Sequence, residues 1–523
     1  MHSWQITAFC LGFLLVLSVL TLRQNSRRFW VHEDLDNLGA PSPGPRRGKA
    51  LICGGGVAGI LAARECVAHF DEVILVEPEF SKTLAGKVKS RTMQYDSFHA
   101  YGIPFAEGLR RMWPSFENTA DVAKQASFSG DYNLHVDGTY LPSPIGPGDQ
   151  YTSFAMRRSK LEPLLHRLLM NDTPDAQGRL RIIDGMVTGM KPSSTGDRIA
   201  SVDGRLLDGD RFELENIDLI IDCTGRAQSG MKWLEEAGFE VPSPATYSPH
   251  LRYSTITFTV PDELYARLPI PEKHVGGCMA FYPDPDVSRL GLVFQKVDGD
   301  AVHLVFVSWG PSNLPKQPEE IIPCLASFGM SKPVPEWFMK TVAILVENGS
   351  PVFATAQLAS CTQINYHQLT SYASNFVAIG DAVMVLNPIF GQGCVKVMAG
   401  ILTLNNMLRN EQASSRRLSA AFSERFFAMQ AERTQPLWLS TKAADYGYPT
   451  TEPMIGETRA NGSAVRWVSR LLLKANEVDE YIGQVLLVVR HLLAPESALI
   501  QPNMVLRILW AHVKRTLSSG KKE

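Results

Sequence analysis

The chain of 523 residues has few cysteines and no closely spaced pair of them. Its eight cysteines are scattered and none forms a C-x-x-C pair, which argues against a zinc site. The same scatter argues against a disulfide framework and fits a reducing compartment. Strong charge of one sign is also lacking, since the net charge is −2. The overall electrostatic field expected of a nucleic-acid-binding protein is therefore absent, and we expect neither a nucleic-acid partner nor a bound metal.

Long apolar runs are scarce, and the exception lies near the N-terminus, at residues 6–22 (ITAFCLGFLLVLSVLTL). Basic residues follow it, at Arg23, Arg27 and Arg28. A run of about 17 residues is at the short end for a membrane-spanning helix, and the charge order is opposite to that of a cleaved signal peptide. By the positive-inside tendency, residues 1–28 predict a single-pass anchor in the endoplasmic reticulum with the body of the protein in the cytosol. A buried helix and a cleaved signal remain alternatives. Residues 29–48, which include GAPSPGPRRG, predict a stiff linker.

A strand–turn–helix–strand unit follows the linker. The apolar run 49–53 leads into GGGVAG at residues 54–59, then a helical stretch, then the run EVILVE that ends at Glu77. Gly54 permits a tight turn, Gly56 lets the backbone approach a pyrophosphate, and Gly59 allows close packing of helix and strand. Glu77 is positioned to accept the ribose hydroxyls, which disfavours a tightly bound NADP. A glycine turn without a ligand is the alternative interpretation.

A second motif lies more than three hundred residues later, at residues 379–393 (IGDAVMVLNPIFGQG). Asp381 follows a predicted strand, and its carboxylate would accept hydrogen bonds from a polyol. The loop containing Pro388, Gly391 and Gly393 would expose backbone amides to a flat ligand. The helix after it would direct its N-terminal dipole at negative charge on that ligand.

The residues 380–393 resemble the GD motif and proline loop of FAD-dependent aromatic hydroxylases and squalene-type epoxidases. Two further segments, 218–242 and 425–449, resemble flavin epoxidases and monooxygenases of natural-product pathways, as does Met93-Gln94 with His99. The resemblance covers residues 49–510 and suggests a fungal secondary-metabolite enzyme. It implies FAD as the cofactor, with Gly54, Gly56, Gly59 and Glu77 at the ADP half, Asp381 at the ribityl chain or pyrophosphate, and Pro388, Gly391 and Gly393 along the flavin ring.

The resemblance also implies three cofactor-binding residues between these motifs. Arg158 matches the arginine that opens the R-x-x-L helix of the family; Arg157 is an alternative alignment, and a surface arginine is another reading. Asp222 and Gly225 match a middle D-x-x-G motif. This motif departs from the hydroxylases' G-A-D-G, which puts a role in nicotinamide docking in doubt.

The implied reaction is insertion of one oxygen atom from O₂ into a lipophilic secondary-metabolite intermediate, by epoxidation or hydroxylation through a C4a-hydroperoxyflavin. The flavin carries this chemistry, so His99 is the one side chain considered as catalytic, with a structural histidine as the alternative. No second dinucleotide fingerprint occurs, so NADPH or NADH would bind transiently or a partner reductase would deliver electrons. Rival interpretations are an FAD-dependent reductase or dehydrogenase and a non-catalytic membrane-tethered flavoprotein. The W-x-W-x-I-P element of flavin halogenases is missing.

The predicted fold class is α/β, with a Rossmann-like FAD-binding domain interleaved with an antiparallel-sheet substrate domain. We expect the FAD-binding domain at residues 49–90, 151–250 and 365–410, and the substrate domain at 91–150 and 251–364. A helical region would follow at 411–523, and the transmembrane anchor would precede the whole.

Overall fold

A computed structural model gives the fold for residues 29–87, 89, 95, 97, 99, 101–119, 126–128, 133–142, 152–274, 278–411 and 417–519. Its first sheet has five parallel strands assembled from distant parts of the chain. Their order across the sheet is Phe376–Ala378, Leu219–Asp222, Arg47–Cys53, Phe70–Val76 and Leu180–Ile183. Four of the strands are mostly apolar and buried, as expected of a parallel sheet covered on both faces, and Leu180–Ile183 is a more exposed edge strand. A parallel sheet assembled from distant segments agrees with the predicted Rossmann-like fold.

The second large sheet has seven strands and is mostly antiparallel. Its strands lie in the order Val352–Leu358, Leu251–Thr259, Ala301–Trp309, Leu290–Lys296, Cys278–Tyr282, Leu134–Val136 and Thr139–Leu141. One face packs against the helices Ile321–Ala326 and Glu336–Asn348 in an apolar cluster. The other face contributes to the main core that the parallel sheet shares. The predicted antiparallel sheet is thereby confirmed, while the exact domain boundaries stay a prediction.

Smaller sheets complete the β structure. One has the antiparallel strands Gly185–Pro192, Ile199–Leu206 and Arg211–Glu215; a second joins Pro244–Tyr247, Cys361–Ile364 and Met384–Val385; a third pairs Ala126–Phe128 with Ser153–Ala155. The longer helices are Val57–His69, Ile103–Met112, Arg158–Asn171, Ser229–Glu236, Gly393–Asn410, Phe422–Asp445, Ser463–Asn476, Glu480–Arg490 and Pro502–Ser519.

The predicted transmembrane anchor requires a correction. Across residues 29–519, with the gaps given above, no helix is long and apolar enough to cross a membrane. The longest helix, Phe422–Asp445, is too polar, with charges such as Glu424 and Arg433 along it. Residues 6–22, on which the anchor was predicted, lie outside the described residues. The structure therefore does not support a fold with an anchor or a single-pass localisation in the endoplasmic reticulum, and both predictions are withdrawn.

The segment predicted as a linker contains a packed helix, Trp30–Asp36. Val31 and Leu35 are buried in the main core. Asp34 forms an ion pair with Arg433, with Nη2 2.7 Å from Oδ2, and both side chains are almost fully buried. Residues 29–38 therefore belong to the folded body.

Candidate functional site

The first glycine motif forms an open turn between the strand Arg47–Cys53 and the helix Val57–His69. Gly54 has φ +104°, and a Cβ there would lie 2.5 Å from the carbonyl oxygen of Cys223. A Cβ on Gly59 would lie 1.8 Å from the carbonyl oxygen of Gly54. Gly56 differs, because its nearest contact would be Arg158 Nη2 at 3.9 Å. Gly54 and Gly59 are thus needed for the turn itself, and Gly56 leaves room for a ligand to approach the backbone.

Glu77 lies beside this turn, at the end of the neighbouring strand. Its Oε2 accepts a hydrogen bond from the amide of Gly55 at 2.7 Å, and its Oε1 accepts from the amide of Glu79 at 3.0 Å. Both oxygens retain a second lone pair. These two hydrogen bonds fix the carboxylate at the wall of a cleft.

Asp222 also ends a strand of the parallel sheet, but its side chain turns inward. It is fully buried and accepts hydrogen bonds from the amide and hydroxyl of Thr224 and from the amide of Gly230. Burial raises the pKa of Asp222, and these donors offset part of that rise. The structure therefore places Asp222 beneath the cleft, where it shapes the turn that brings Gly225 (φ +68°) into the wall.

Asp381 lies at the cleft and pairs with a lysine that the sequence analysis did not single out. Lys396 Nζ is 2.5 Å from Asp381 Oδ1 and also donates to the carbonyl oxygen of Met384. The lysine side chain is 3% exposed, whereas that of Asp381 is 40% exposed. Burial would raise the pKa of Asp381, but Lys396, together with Arg158 and Arg226, lowers it. The carboxylate is therefore ionised and has one exposed side.

The proline loop consists of a short 3₁₀ helix, Pro388–Phe390, and the start of the helix Gly393–Asn410. Asn387 caps the 3₁₀ helix, because its Oδ1 accepts from the amide of Ile389 at 3.1 Å. Gly391 has φ +69°, and a Cβ on Gly393 would meet nothing within 4 Å. The loop therefore presents unobstructed backbone to the cleft.

A buried carboxylate, Asp445, fixes this loop from behind. It accepts hydrogen bonds from Asn387 Nδ2, Trp309 Nε1 and Tyr247 Oη, each at 2.8 Å. Burial raises the pKa of Asp445 to about 6, although the three donors act in the opposite direction. The sequence analysis assigned no role to Asp445. Its position inside segment 425–449, which resembles flavin monooxygenases, is the feature that could have indicated one.

Arg158 is held in the cleft by a buried ion network. Its Nε donates to Glu162 Oε1, and Glu162 Oε2 lies 3.0 Å from Lys89 Nζ. Burial would raise the pKa of Glu162, but Arg158 and Lys89 lower it to about 2. Arg157, the alternative alignment, points elsewhere and pairs with Asp298 at 2.7 Å. The structure thus favours Arg158 as the arginine of the cleft.

His99 lies at the same cleft and is half-buried. Its Nδ1 is 2.8 Å from the carbonyl oxygen of Ser97, so this nitrogen carries the proton. Burial, with a contribution from Arg158, lowers the pKa of His99 to about 4. At neutral pH the ring is therefore uncharged, with Nε2 as a hydrogen-bond acceptor. Residues 93 and 94 lie outside the described residues.

The cleft consists of two adjoining cavities of about 180 and 550 Å³. The larger cavity is lined by Gly54 and Glu77, and the smaller by His99 and the proline loop. The residues that line both are Gly56, Arg158, Cys223, Gly225, Arg226 and Asp381. The structure therefore brings together every predicted site residue except Gly59 and Asp222, which support the wall from behind. Within the described residues no cluster of His, Cys, Asp or Glu could hold a metal ion.

No protein-family model matches the sequence of this chain. Protein Rv3254 of Mycobacterium tuberculosis is 24% identical over 428 residues, which cover 79% of this chain and 84% of that protein.

Solved structures share the fold at low sequence identity. A flavoprotein/dehydrogenase from Cytophaga hutchinsonii superposes with a TM-score of 0.59 at 13% identity, over 91% of this chain and 100% of that one. The flavin-dependent halogenase CmlS gives 0.53 at 14%, over 85% and 76%. The flavin-dependent brominase Bmp2 gives 0.52 at 13%, over 83% and 94%. The resemblance to FAD-dependent natural-product enzymes that the sequence indicated is thus confirmed at the level of the fold: this chain has the mixed α/β fold of flavin-dependent oxidoreductases.

Proposed function

We propose that this protein binds FAD in the cleft and acts as an oxidoreductase. The observation that carries the proposal is the convergence of two glycine-lined motifs, far apart in sequence, on one cleft with a fixed carboxylate in each part. The cleft has the kind of donor set that a dinucleotide requires. Exposed backbone and positive charge serve phosphates, while Glu77 and Asp381 serve sugar hydroxyls.

The residues that would hold the two ends of FAD are distinct. Gly54, Gly56 and the N-terminus of the helix Val57–His69 would receive the pyrophosphate, with Glu77 at the ribose. Asp381 would bind the ribityl chain or pyrophosphate through its exposed side. Arg158, held in place by Glu162, lines both cavities, as does Arg226.

The ring end of the cleft lies at the N-terminus of a helix. The positive end of the dipole of the helix Gly393–Asn410 favours negative charge on a reduced ligand there. Bound FAD would supply the redox chemistry of the site. The protein's part is to fix the proline loop through Asp445 and to exclude water with apolar walls such as Leu358, Val385 and Leu386.

The finer proposal is a monooxygenase that inserts one oxygen atom from O₂ into an organic substrate, with NADPH or NADH as transient reductant. Three features support it. The resemblance over residues 49–510 is to such enzymes, the antiparallel sheet adjoins the cleft, and the uncharged His99 offers Nε2 as an acceptor for a substrate group rather than as a strong acid. His99 would therefore orient substrate.

Oxygen labelling in a heterologous host tests this finer proposal. The full chain is expressed with its biosynthetic neighbours under ¹⁸O₂, beside a matched strain that carries Asp381→Ala. A product with one ¹⁸O atom that is absent from the variant strain supports oxygen insertion. A product that differs by two hydrogens and lacks label supports the reductase or dehydrogenase, and a halogenated product supports a halogenase; either result contradicts the monooxygenase.

A further inference from the structure

The seven-stranded sheet has two chemically different faces, which the strand register defines. Residues directly opposite each other on antiparallel strands share a face. Ile256 is opposite Leu304, and this face packs in the apolar cluster against the helices Ile321–Ala326 and Glu336–Asn348. The alternate residues, such as Val293 and Val305, point to the opposite side and belong to the main core. We call this second side the inward face.

Three polar residues lie together on the inward face. Gln295 is directly opposite His303, and Thr255 is opposite Val305, two positions further along the same strand as His303. Neighbouring and diagonal side chains at these positions are within reach of one small molecule. The three residues therefore form a compact polar group beside Val293 and Val305, with the half-buried Thr257 directly opposite His303.

None of the three side chains is hydrogen-bonded within the part of the chain that the structure describes. Thr255 and Gln295 are fully buried and His303 is 1% exposed. Their unpaired atoms are Thr255 Oγ1, Gln295 Oε1 and Nε2, and His303 Nδ1 and Nε2. Buried polar atoms in folded proteins are almost always paired, because burial without a partner costs free energy. A cluster of unpaired atoms on adjacent strands points to a ligand that supplies the partners.

The inward face leads to the cleft. Leu358, which lines the cleft, is opposite Leu251, and Tyr253 and Thr255 follow on the same face of that strand. Burial, with contributions from Arg157 and from His99 of the cleft wall, lowers the pKa of His303 to about 3. His303 is therefore uncharged at neutral pH.

We propose that Thr255, Gln295 and His303 bind an uncharged hydroxyl or carbonyl group of the substrate, which is otherwise apolar. The three side chains offer both donors and acceptors and no formal charge, so they suit a neutral oxygen rather than a carboxylate or phosphate. Arg157 and Asp298, the two charged groups that act on His303, neutralise each other in an ion pair. This inference rests on the proposed function. It implies that the substrate is not uniformly lipophilic and carries one polar group that these side chains bind.

The test uses the full FAD-loaded chain and two probes that differ by one hydroxyl, 2-naphthol and naphthalene. Fluorescence titration gives the two dissociation constants, and thermal unfolding without a probe gives the stability. We expect 2-naphthol to bind about tenfold more tightly than naphthalene, and Gln295→Leu or His303→Leu to bring the ratio close to one. Neither substitution should lower the melting temperature, because each removes polar atoms that have no partner.

Gln363→Leu is the matched control. Gln363 is also buried, but its Nε2 donates to Gln435 Oε1 at 2.7 Å. This variant should lose stability and leave the probe ratio unchanged. The proposal is overturned if wild type binds both probes equally or neither, if Gln295→Leu leaves the ratio unchanged, or if it destabilises the protein as Gln363→Leu does. A wild type without FAD would contradict the proposed function separately, since titration of the flavin-free chain still reports the probe ratio.

Discussion

Lys396 Nζ lies 2.5 Å from Asp381 Oδ1 at the floor of the cleft, and the lysine is buried while the aspartate is partly exposed. The aspartate therefore has two tasks in this fold. It neutralises a buried cation, and its free side faces the space that a ligand would fill. The two tasks respond differently to substitution.

Asp381→Ala should lower the free energy of unfolding by about 1–3 kcal/mol, because Lys396 loses its partner while buried. The value is below that of a fully buried pair because Asp381 is partly solvated. Adding Lys396→Met should restore most of this stability, since a buried apolar side chain replaces the unpaired cation. FAD should be lost from both variants. Urea unfolding of the apoproteins, with flavin content measured in parallel, separates the two effects; retention of FAD by the double variant would argue against the assigned role of Asp381.

Two glycine substitutions should likewise separate an effect on the stability of the fold from an effect on FAD affinity. Gly59→Ala places a methyl group against the Gly54 carbonyl and should destabilise the fold by about 1–3 kcal/mol. Gly393→Ala meets no protein atom and lies at the start of a helix, so stability should be unchanged or slightly higher. Its methyl group would occupy ligand space, so its FAD affinity should fall. Thermal unfolding and FAD titration of both variants check this; equal FAD affinity of Gly393→Ala and wild type would remove the proline loop from the binding site.

Asp445 should give the folded protein a characteristic pH dependence. Its folded pKa of about 6 is above the value of about 3.9 expected in the unfolded chain. The folded state therefore binds more protons between these values, and the contribution of this carboxyl to stability falls as the pH rises from about 4 to about 6. Asp445→Asn removes the titration. In urea unfolding, the free energy of unfolding of wild type minus that of the variant should be larger at about pH 4.5 than at about pH 7.5. A difference that does not change with pH contradicts the assignment.

The helix Trp30–Asp36 should be required for full stability. Removing the helix together with Leu38 takes buried apolar side chains out of the core. It also leaves the buried Arg433 without its ion-pair partner Asp34. A chain lacking residues 1–38 should therefore be less stable, by several kcal/mol, than one lacking residues 1–28. Asp34→Asn in the longer chain isolates the ion pair. Denaturant unfolding of the three proteins provides the comparison, and equal stability of the two truncated chains would show that the helix is dispensable.

The sequence was sufficient for features set by local patterns. Apolar runs that end in glycine predicted the parallel sheet, and positive φ or close contact at Gly54, Gly59 and Gly391 explains why glycine is required there. The fixed spacing of the motifs also located Glu77 and Asp381 at strand ends. These are properties of short segments, so tertiary packing did not alter them.

Features that depend on packing between distant segments could not be predicted in this way. The inward orientation of Asp222 is decided by the turn that supplies Thr224 and Gly230. Asp445 acquires its role only when three separate segments supply its hydrogen-bond donors. The helix at residues 30–36 was not predicted, because the proline and glycine residues that follow it indicated a linker. Val31, Leu35 and Leu38 nevertheless have helical spacing.

Flavin content of the purified full-length protein tests the central claim most directly. Wild type should carry about one FAD per chain, as a single dinucleotide cleft requires, and the stable double variant Asp381→Ala, Lys396→Met should carry little or none. A folded wild type that neither retains FAD nor takes it up from solution would contradict the account, as would equal flavin content in the two proteins.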